Sequence, residues 1–242
     1  MHVPRAEVHD FGAFDPPYGP ARRVRVYLPN RLVLDQPHAT LFLLDGQNVF
    51  GDHGSYAGGW HAHDAVEALG PSFWRPLIVA VDNGGATRAR EMGSYVEDFM
   101  AAVVRDLVPR VARELGGGGP TVIAGASLGG LAALVGWLNH PDTFDAAIAM
   151  SPSLWFAHRH WPRRIAEGHV AVPATGRLYL DAGERERGRM FVDAESLAGW
   201  LAGAGLPPAR LMWRPDAKGT HQEKHWRRRL PKALRFALRV KH

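Results

Sequence analysis

Apolar residues in this chain gather into short unbroken runs and into longer stretches at helical spacing, and the two kinds of stretch alternate. Thr40-Leu41-Phe42-Leu43-Leu44, Pro76 to Val81 and Thr121-Val122-Ile123-Ala124 have the length and composition of strands buried on both faces. Phe144 to Met150, Arg177 to Leu180 and Arg210 to Trp213 read as three more strands. Arg22 to Leu28 alternates instead: Val24, Val26 and Leu28 point one way and Arg23, Arg25 and Tyr27 the other, a half-exposed strand closed by Pro29. Helical spacing occupies Ala62 to Leu69, Leu131 to Leu138, Met190 to Leu201 and about Trp226 to Val240. A further helix is expected from a capping box at Ser94-Tyr95-Val96-Glu97, with Val96, Phe99, Met100, Val103, Leu107 and Val111 on one face. Pro109 should kink or split it.

Six or more strands alternating with helices predict an α/β fold with a mainly parallel sheet, carried in one domain over residues 1–242. The first twenty residues hold Pro4, Pro16, Pro17 and Pro20 without a period and read as an N-terminal arm or edge segment. Residues 151–176 form a long connection, with Trp155, Phe156 and Trp161, of the kind that can cover a site. A chain of 242 residues with 46% hydrophobic content buries roughly 70% of its unfolded surface on folding, enough for one packed core.

Composition removes several classes of function. There is no cysteine, so disulfides, thiol catalysis and thiolate zinc sites are excluded. The formal charge is +5, but the basic residues are scattered among acids, and Arg227-Arg228-Arg229 lies in an amphipathic helical stretch. With no reader motif and no basic tail, no nucleic-acid partner is expected. No run reaches the roughly 18 apolar residues of a membrane span, and the N-terminus lacks the apolar core of a signal peptide, so a cytoplasmic protein without membrane contact is expected.

The chemistry concentrates where one strand meets one helix. Gly125-Ala126-Ser127-Leu128-Gly129 spells G-x-S-x-G between the run at 121–124 and the helix that ends at Asn139-His140-Pro141, the context of a nucleophile elbow. A serine on so sharp a turn needs neighbours without side chains, and the following helix N-terminus favours an oxyanion. In a parallel sheet the loops at the strands' carboxyl ends share one edge, and a hydrolase of this kind orders its residues Ser, acid, His. Acids follow the strand at 177–180, and His221 follows the strand at 210–213 after Gly219-Thr220, whereas His225 sits beside Trp226 at a helix start. His221 is the expected base. The order H-x-E-x-H at 221–225 does not fit a zincin. His61-Ala62-His63 and His158-Arg159-His160 would converge on a metal only from strands, so no metal is expected.

Several separate motifs then resemble the putative-esterase branch of α/β-hydrolases, which holds esterase D and the enterochelin esterases. They are Val26-Tyr27-Leu28-Pro29, Leu43-Leu44-Asp45-Gly46-Gln47-Asn48, Val81-Asp82-Asn83-Gly84, Arg88 with Glu91, the serine motif, Ser151-Pro152-Ser153-Leu154-Trp155, Gly183 with Glu186, and His221 through Trp226 to Pro231. The resemblance implies an α/β-hydrolase fold and an oxyanion hole from the backbone N–H groups of Gln47 and Leu128. It further implies a pocket lined by Trp155, Arg88 and Glu91, with Arg88 and Glu91 alternatively pinning their loop by pairing with each other. Glu186 stands three residues past Gly183, where relatives place the acid; Glu184 is the fallback, and a Ser127–His221 dyad is the third possibility.

The expected function is a cofactor-independent serine carboxylic-ester hydrolase acting on a small-molecule, carbohydrate or siderophore-type ester through an acyl-enzyme. An acyltransferase using the same intermediate, and a non-catalytic binding protein on a hydrolase scaffold, are the alternatives.

Overall fold

The continuous apolar runs occupy the middle of one eight-stranded sheet, where a strand covered by helices on both faces has no polar side to show. The computed structural model of the chain describes residues 6–55 and 57–240, without the side chains of residues 158 and 159. Residues 1–5 of the expected arm, and the histidine at 158 of the His158–His160 pair, thus lie outside the described residues. In chain order the elements are β1 (Val8–Phe14), β2 (Arg22–Tyr27), β3 (His38–Leu44), α1 (Ala62–Glu67), β4 (Leu77–Val81), α2 (Val96–Ala102), α3 (Val108–Leu115) and β5 (Gly118–Ala126). There follow α4 (Leu128–Asn139), β6 (Ala146–Met150), α5 (Phe156–Ala166), β7 (Arg177–Gly183), α6 (Met190–Gly203), β8 (Leu211–Asp216) and α7 (Glu223–Ala237). The sheet order is β1-β2-β4-β3-β5-β6-β7-β8. β2 pairs antiparallel with both β1 and β4 at one side of the sheet, and the neighbours from β4 to β8 pair in parallel.

Alternate residues of the central strands feed two cores. Phe42, Leu44, Val79 and Ile123 face α2, α3, α4 and α6 through Phe99, Val111, Leu134 and Leu197. Leu41, Leu43, Ile78 and Val122 face α1 and α7 through Val66, Trp226, Leu230 and Leu234. α4 is apolar on every side and buried from Leu128 to Leu138, as a helix wedged between sheet and α2 must be.

Two elements differ from the sequence reading, and the split expected at Pro109 is present. The capping box does not form: α2 begins at Val96 behind a π-helical turn over Arg90–Ser94, Tyr95 is the N-cap, and no side chain caps the helix. The preceding turn absorbs that role, because the Tyr95 N–H donates to the Arg90 carbonyl, and Glu97 is drawn instead to Arg164 at 3.0 Å. Pro109 sits at the start of α3, and a second π-helical turn over Val103–Leu107 divides the helix ahead of it, since proline has no N–H to continue the ladder. Residues 151–176 are not simply a loop, for they contain α5, which packs on α6.

What the sheet positions is the turn between β5 and α4. Ser127 adopts φ 58° and ψ −124°, outside the ordinary regions for a residue with a Cβ. The turn closes so tightly that a Cβ on Gly125 would lie 2.3 Å from the carbonyl carbon of Gly129. Gly125→Ala is therefore expected to lower stability by about 2 kcal/mol or more, through forced backbone movement. Gly117→Ala, where a Cβ meets nothing within 4 Å, should stay within about 0.5 kcal/mol of the parent. Urea unfolding of both variants checks this; equal midpoints would show that the elbow tolerates the extra carbon.

Candidate active site

Because β5, β7 and β8 run in parallel, their carboxyl ends open on the same edge, and three side chains distant in sequence meet there. Ser127 Oγ lies 2.9 Å from His221 Nε2, and His221 Nδ1 lies 3.1 Å from Glu186 Oε2. The loop after β7 reaches the loop after β8 because both lack side chains where they touch: a Cβ on Gly183 would sit 2.3 Å from the Gly219 carbonyl oxygen. The chain then turns back on itself, with the Gly183 N–H donating to Glu186 Oε1 at 2.8 Å. Glu184 is exposed and holds the β8 end only through its backbone N–H. Asp181 stays within β7, fully buried, its carboxylate accepting from the Ser151 N–H at 3.1 Å and lying 3.3 Å from Arg229 Nε. His225 lies on α7, where its Nδ1 accepts from Arg228 at 3.4 Å.

Protonation follows from these contacts. Burial would raise the Glu186 carboxyl, but hydrogen bonds from His221, Ser151 and the Gly183 N–H outweigh it and hold the group below its ordinary value. An ionised Glu186 only accepts, so His221 Nδ1 carries the proton and Nε2 is free to accept the Ser127 hydroxyl. Ser153 Oγ, buried and 3.1 Å from Ser127 Oγ, must then be the donor in that pair.

The serine and histidine open into a cavity of about 620 Å³, lined among others by Asp45, Gln47, Trp60, Asn83, Arg88, Glu223 and Trp226. Gln47 sits in a 3₁₀ turn directly after β3, and Leu128 is the first residue of α4. Arg88 reaches the cavity but is clamped by Asp45, with Nε to Oδ1 at 2.6 Å and Nη2 to Oδ2 at 2.7 Å. Two of the expected pocket residues lie elsewhere. Glu91 is buried against Arg22 and Thr87 away from the cavity, so it pairs neither with Arg88 nor with anything in the site. Trp155 is 53% exposed and does not line the cavity, and neither does any other residue of 151–176. The connection contributes instead through Ser153, which touches the serine.

Sequence reasoning passed over Ser153, Asp45, Glu223 and Trp226 as site residues. The available signal was position, since Asp45 and Ser153 both follow a central strand at the same sheet edge as Ser127.

This architecture and this edge define an α/β-hydrolase. The chain matches the family described as "Putative esterase" over residues 18–237, and it belongs to that family. It is 33% identical over 169 residues to an iron(III) enterobactin esterase of Escherichia coli O6:H1 (strain CFT073), covering 65% of this chain and 40% of that one. It is 28% identical over 233 residues to an iron(III) enterobactin esterase of Dickeya dadantii (strain 3937), covering 88% of this chain and 51% of that one. The chain thus spans about half or less of the length of these curated relatives. Among solved structures, the enterobactin esterase FES from Shigella flexneri superposes with TM-score 0.78 at 24% identity, over 96% of this chain and 58% of that one. The siderophore hydrolase EstA from Aspergillus nidulans superposes with TM-score 0.76 at 18% identity over 98% and 97%. Likeness at these identities bears on the fold. Among the described residues, no helix is long and apolar enough to cross a membrane.

The buried Asp181 gives the site a pH signature in stability. Burial pushes its carboxyl from 3.8 up to about 7, against the pull of Arg229, the Tyr179 hydroxyl and the Ser151 N–H. Between those two values the folded chain keeps a proton that the unfolded chain releases, so this group's contribution to stability falls as pH rises through the window. Glu186 works the other way, stabilising above its unfolded value and losing that as pH falls through its lowered folded one. In Asp181→Asn the first dependence is gone. Urea midpoints of variant and parent, compared at pH values near the two ends of the Asp181 window, should shift in the variant's favour at the higher pH; an unchanged gap would contradict the assignment.

Proposed function

We propose that this protein is a serine carboxylic-ester hydrolase working through an acyl-enzyme, with Ser127 as nucleophile, His221 as general base and acid, and Glu186 as the orienting acid. The single observation that carries the reading is the unbroken line Glu186–His221–Ser127, at 3.1 and 2.9 Å, opening into the 620 Å³ cavity. Ser127 Oγ attacks the ester carbonyl carbon as its proton passes to His221 Nε2, and the backbone N–H groups of Gln47 and Leu128 receive the developing oxyanion. Collapse of the tetrahedral species breaks the bond to the alcohol oxygen, which leaves with the proton from Nε2. Water then adds to the acyl-enzyme, gives its proton to His221 and releases the carboxylic acid, while Ser127 regains its hydrogen. No step calls for a cofactor or a metal.

Substrate class is read from the cavity and the relatives together. Trp60 and Trp226 offer aromatic wall, while Arg88, Asn83 and Glu223 offer polar contacts, which suits an ester with aromatic and hydrogen-bonding parts. Relatives named as iron(III) enterobactin esterases support a siderophore-type ester. The same acyl-enzyme could pass its acyl group to an alcohol, so the products should be analysed with and without an added alcohol acceptor.

Ser127→Ala is expected to lower kcat at least about a thousandfold while the fold survives, and His221→Ala should match it. Glu186→Gln should lower kcat well beyond Glu184→Gln with KM little changed, and His225→Ala should keep most activity. The assay is a panel of chromogenic acyl esters extended to aryl, acetyl-sugar and siderophore esters. Near-parental turnover by Ser127→Ala would sink the serine mechanism, and a greater loss from Glu184→Gln would move the acid.

A further inference from the structure

Behind Glu186 lies a hydroxyl whose every hydrogen-bonding position is taken. Ser151 follows β6 with φ 42° and is buried. Its Oγ accepts the indole N–H of Trp226 at 3.0 Å and a guanidinium N–H from Arg229 Nη2 at 2.9 Å. A serine oxygen has two lone pairs and one proton. With both lone pairs engaged by groups that can only donate, the proton has one remaining acceptor, Glu186 Oε1, at 2.5 Å. The Gly183 N–H donates to the same carboxylate oxygen at 2.8 Å. Oε1 is thereby saturated and Oε2 alone is left for His221 Nδ1, at 3.1 Å.

We propose that Ser151 is a positioning residue for the ester-hydrolase chemistry: its hydroxyl, locked in one orientation by Trp226 and Arg229, fixes the Glu186 carboxylate so that one chosen oxygen faces His221. This rests on the reading of Glu186, His221 and Ser127 given above. The hydroxyl touches no substrate and acts only through Glu186. Its own backbone is anchored independently, since the Ser151 N–H donates to the Asp181 carbonyl at 3.0 Å and to Asp181 Oδ1 at 3.1 Å. The hydroxyl and the carboxylate thus sit just beyond the ends of two neighbouring strands, β6 and β7, which pair with Met150 opposite Asp181. Arg229 adds charge as well as direction: its Nη2 is 3.9 Å from Glu186 Oε1 and its Nε 3.3 Å from Asp181 Oδ2, which keeps the ionised form of the acid compensated in a buried place.

Ser151→Ala removes one oxygen and leaves backbone and cavity intact. It is expected to lower kcat about tenfold to a hundredfold, the usual loss when the partner that orients a functional imidazole's support is removed, with KM within about twofold. The second readout is spectroscopic. The proton on His221 Nδ1, shared with a carboxylate, should give a strongly downfield NMR resonance in the parent, and Ser151→Ala should move it upfield or broaden it as Glu186 gains freedom to rotate. Ser127→Ala, measured alongside, keeps the resonance and loses turnover if the serine mechanism holds, which separates failure of that mechanism from failure of the positioning role. A folded Ser151→Ala protein with parental kcat and an unmoved resonance overturns the proposal. So does a loss of activity expressed in KM with the resonance unchanged, because that is the mark of a general structural disturbance. If Ser151→Ala does not fold, Arg229→Lys keeps the charge but withdraws the guanidinium N–H from the hydroxyl, freeing one lone pair without removing the serine. The resonance should then broaden while the serine stays in place, and an unaltered resonance there overturns the proposal equally.

Discussion

One turn of backbone governs the arrangement of this molecule: Ser127, a residue with a Cβ, held at φ 58° and ψ −124°. Such a conformation costs on the order of 1–3 kcal/mol and persists only where its surroundings determine it from several sides. Here they do. The Ser127 N–H donates to the Met150 carbonyl on β6, and its own carbonyl receives the N–H groups of both Leu131 and Ser153. The turn also requires that α4 leave β5 at once, which Gly125 and Gly129 permit by backbone contact, and that α4 be buried on all sides. The run of Leu, Ala and Gly in that helix is thus the price of the serine's position. β6 and the segment behind it are tied to the same turn, so Ser151 and Ser153 fall beside the serine as a consequence of where it sits.

A second constraint is charge. Asp45 and Arg88 face the cavity, Asp181, Glu186 and Arg229 lie behind it, and Arg22 with Glu91 lies beneath the loop after β4, all wholly or largely buried. Buried ion pairs return little net stability, because desolvation cancels most of the attraction, whereas removing one partner is costly. Their value is directional. A bidentate arginine holds Asp45 and therefore the loop that carries Gln47; behind the cavity Arg229 on α7 lies beside Asp181 in β7 and Glu186 in the loop after it, Asp181 pushed up by burial against the pull of Arg229 and Glu186 held down by its donors. Two carboxyl groups from one strand and its loop, both near the same guanidinium, differ because one receives three hydrogen bonds and the other lies deeper.

Much of the fold could be read from pattern because burial on two faces leaves a plain trace. β3 and β4 are buried throughout, as is β5 from Val122 onward, and these stretches were continuous apolar runs in the sequence. β1 left only the trace of an edge segment, since few of its residues are buried. α5 was hidden by Pro162 and by charged residues, its apolar side being little more than Phe156, Trp161 and Ile165. The meeting of Ser127 and His221 with an acid from the loop after β7 was legible from topology, because loops at one sheet edge must be neighbours; the choice of Glu186 over Glu184 rested on the family resemblance. Pairings between buried side chains were not. Arg88 and Glu91 stand three apart and suggest a mutual pair, yet the π-helical turn they border sends one toward Asp45 and the other toward Arg22, each from a distant strand or loop. Nor does any periodicity reveal the Ser151 hydroxyl, whose role depends on where a single proton points.

The division of labour between the two ends of the site follows from these constraints. At Gly125 in the serine turn and at Gly183 where the loops after β7 and β8 meet, an added Cβ would come within 3 Å of backbone, so substitution there disturbs the fold as well as the site. The cavity walls come instead from the loops after β3, β4 and β8 and from the first turn of α7, through Gln47, Asn83, Arg88, Gln222 and Glu223, all of which lie outside the strands. Loops on a rigid scaffold are where specificity can drift while chemistry stays fixed. Under the proposed reading the choice among esters falls to the wall residues, with Arg88 the exception: clamped by Asp45 at two nitrogens, it presents a fixed edge that a substrate must fit.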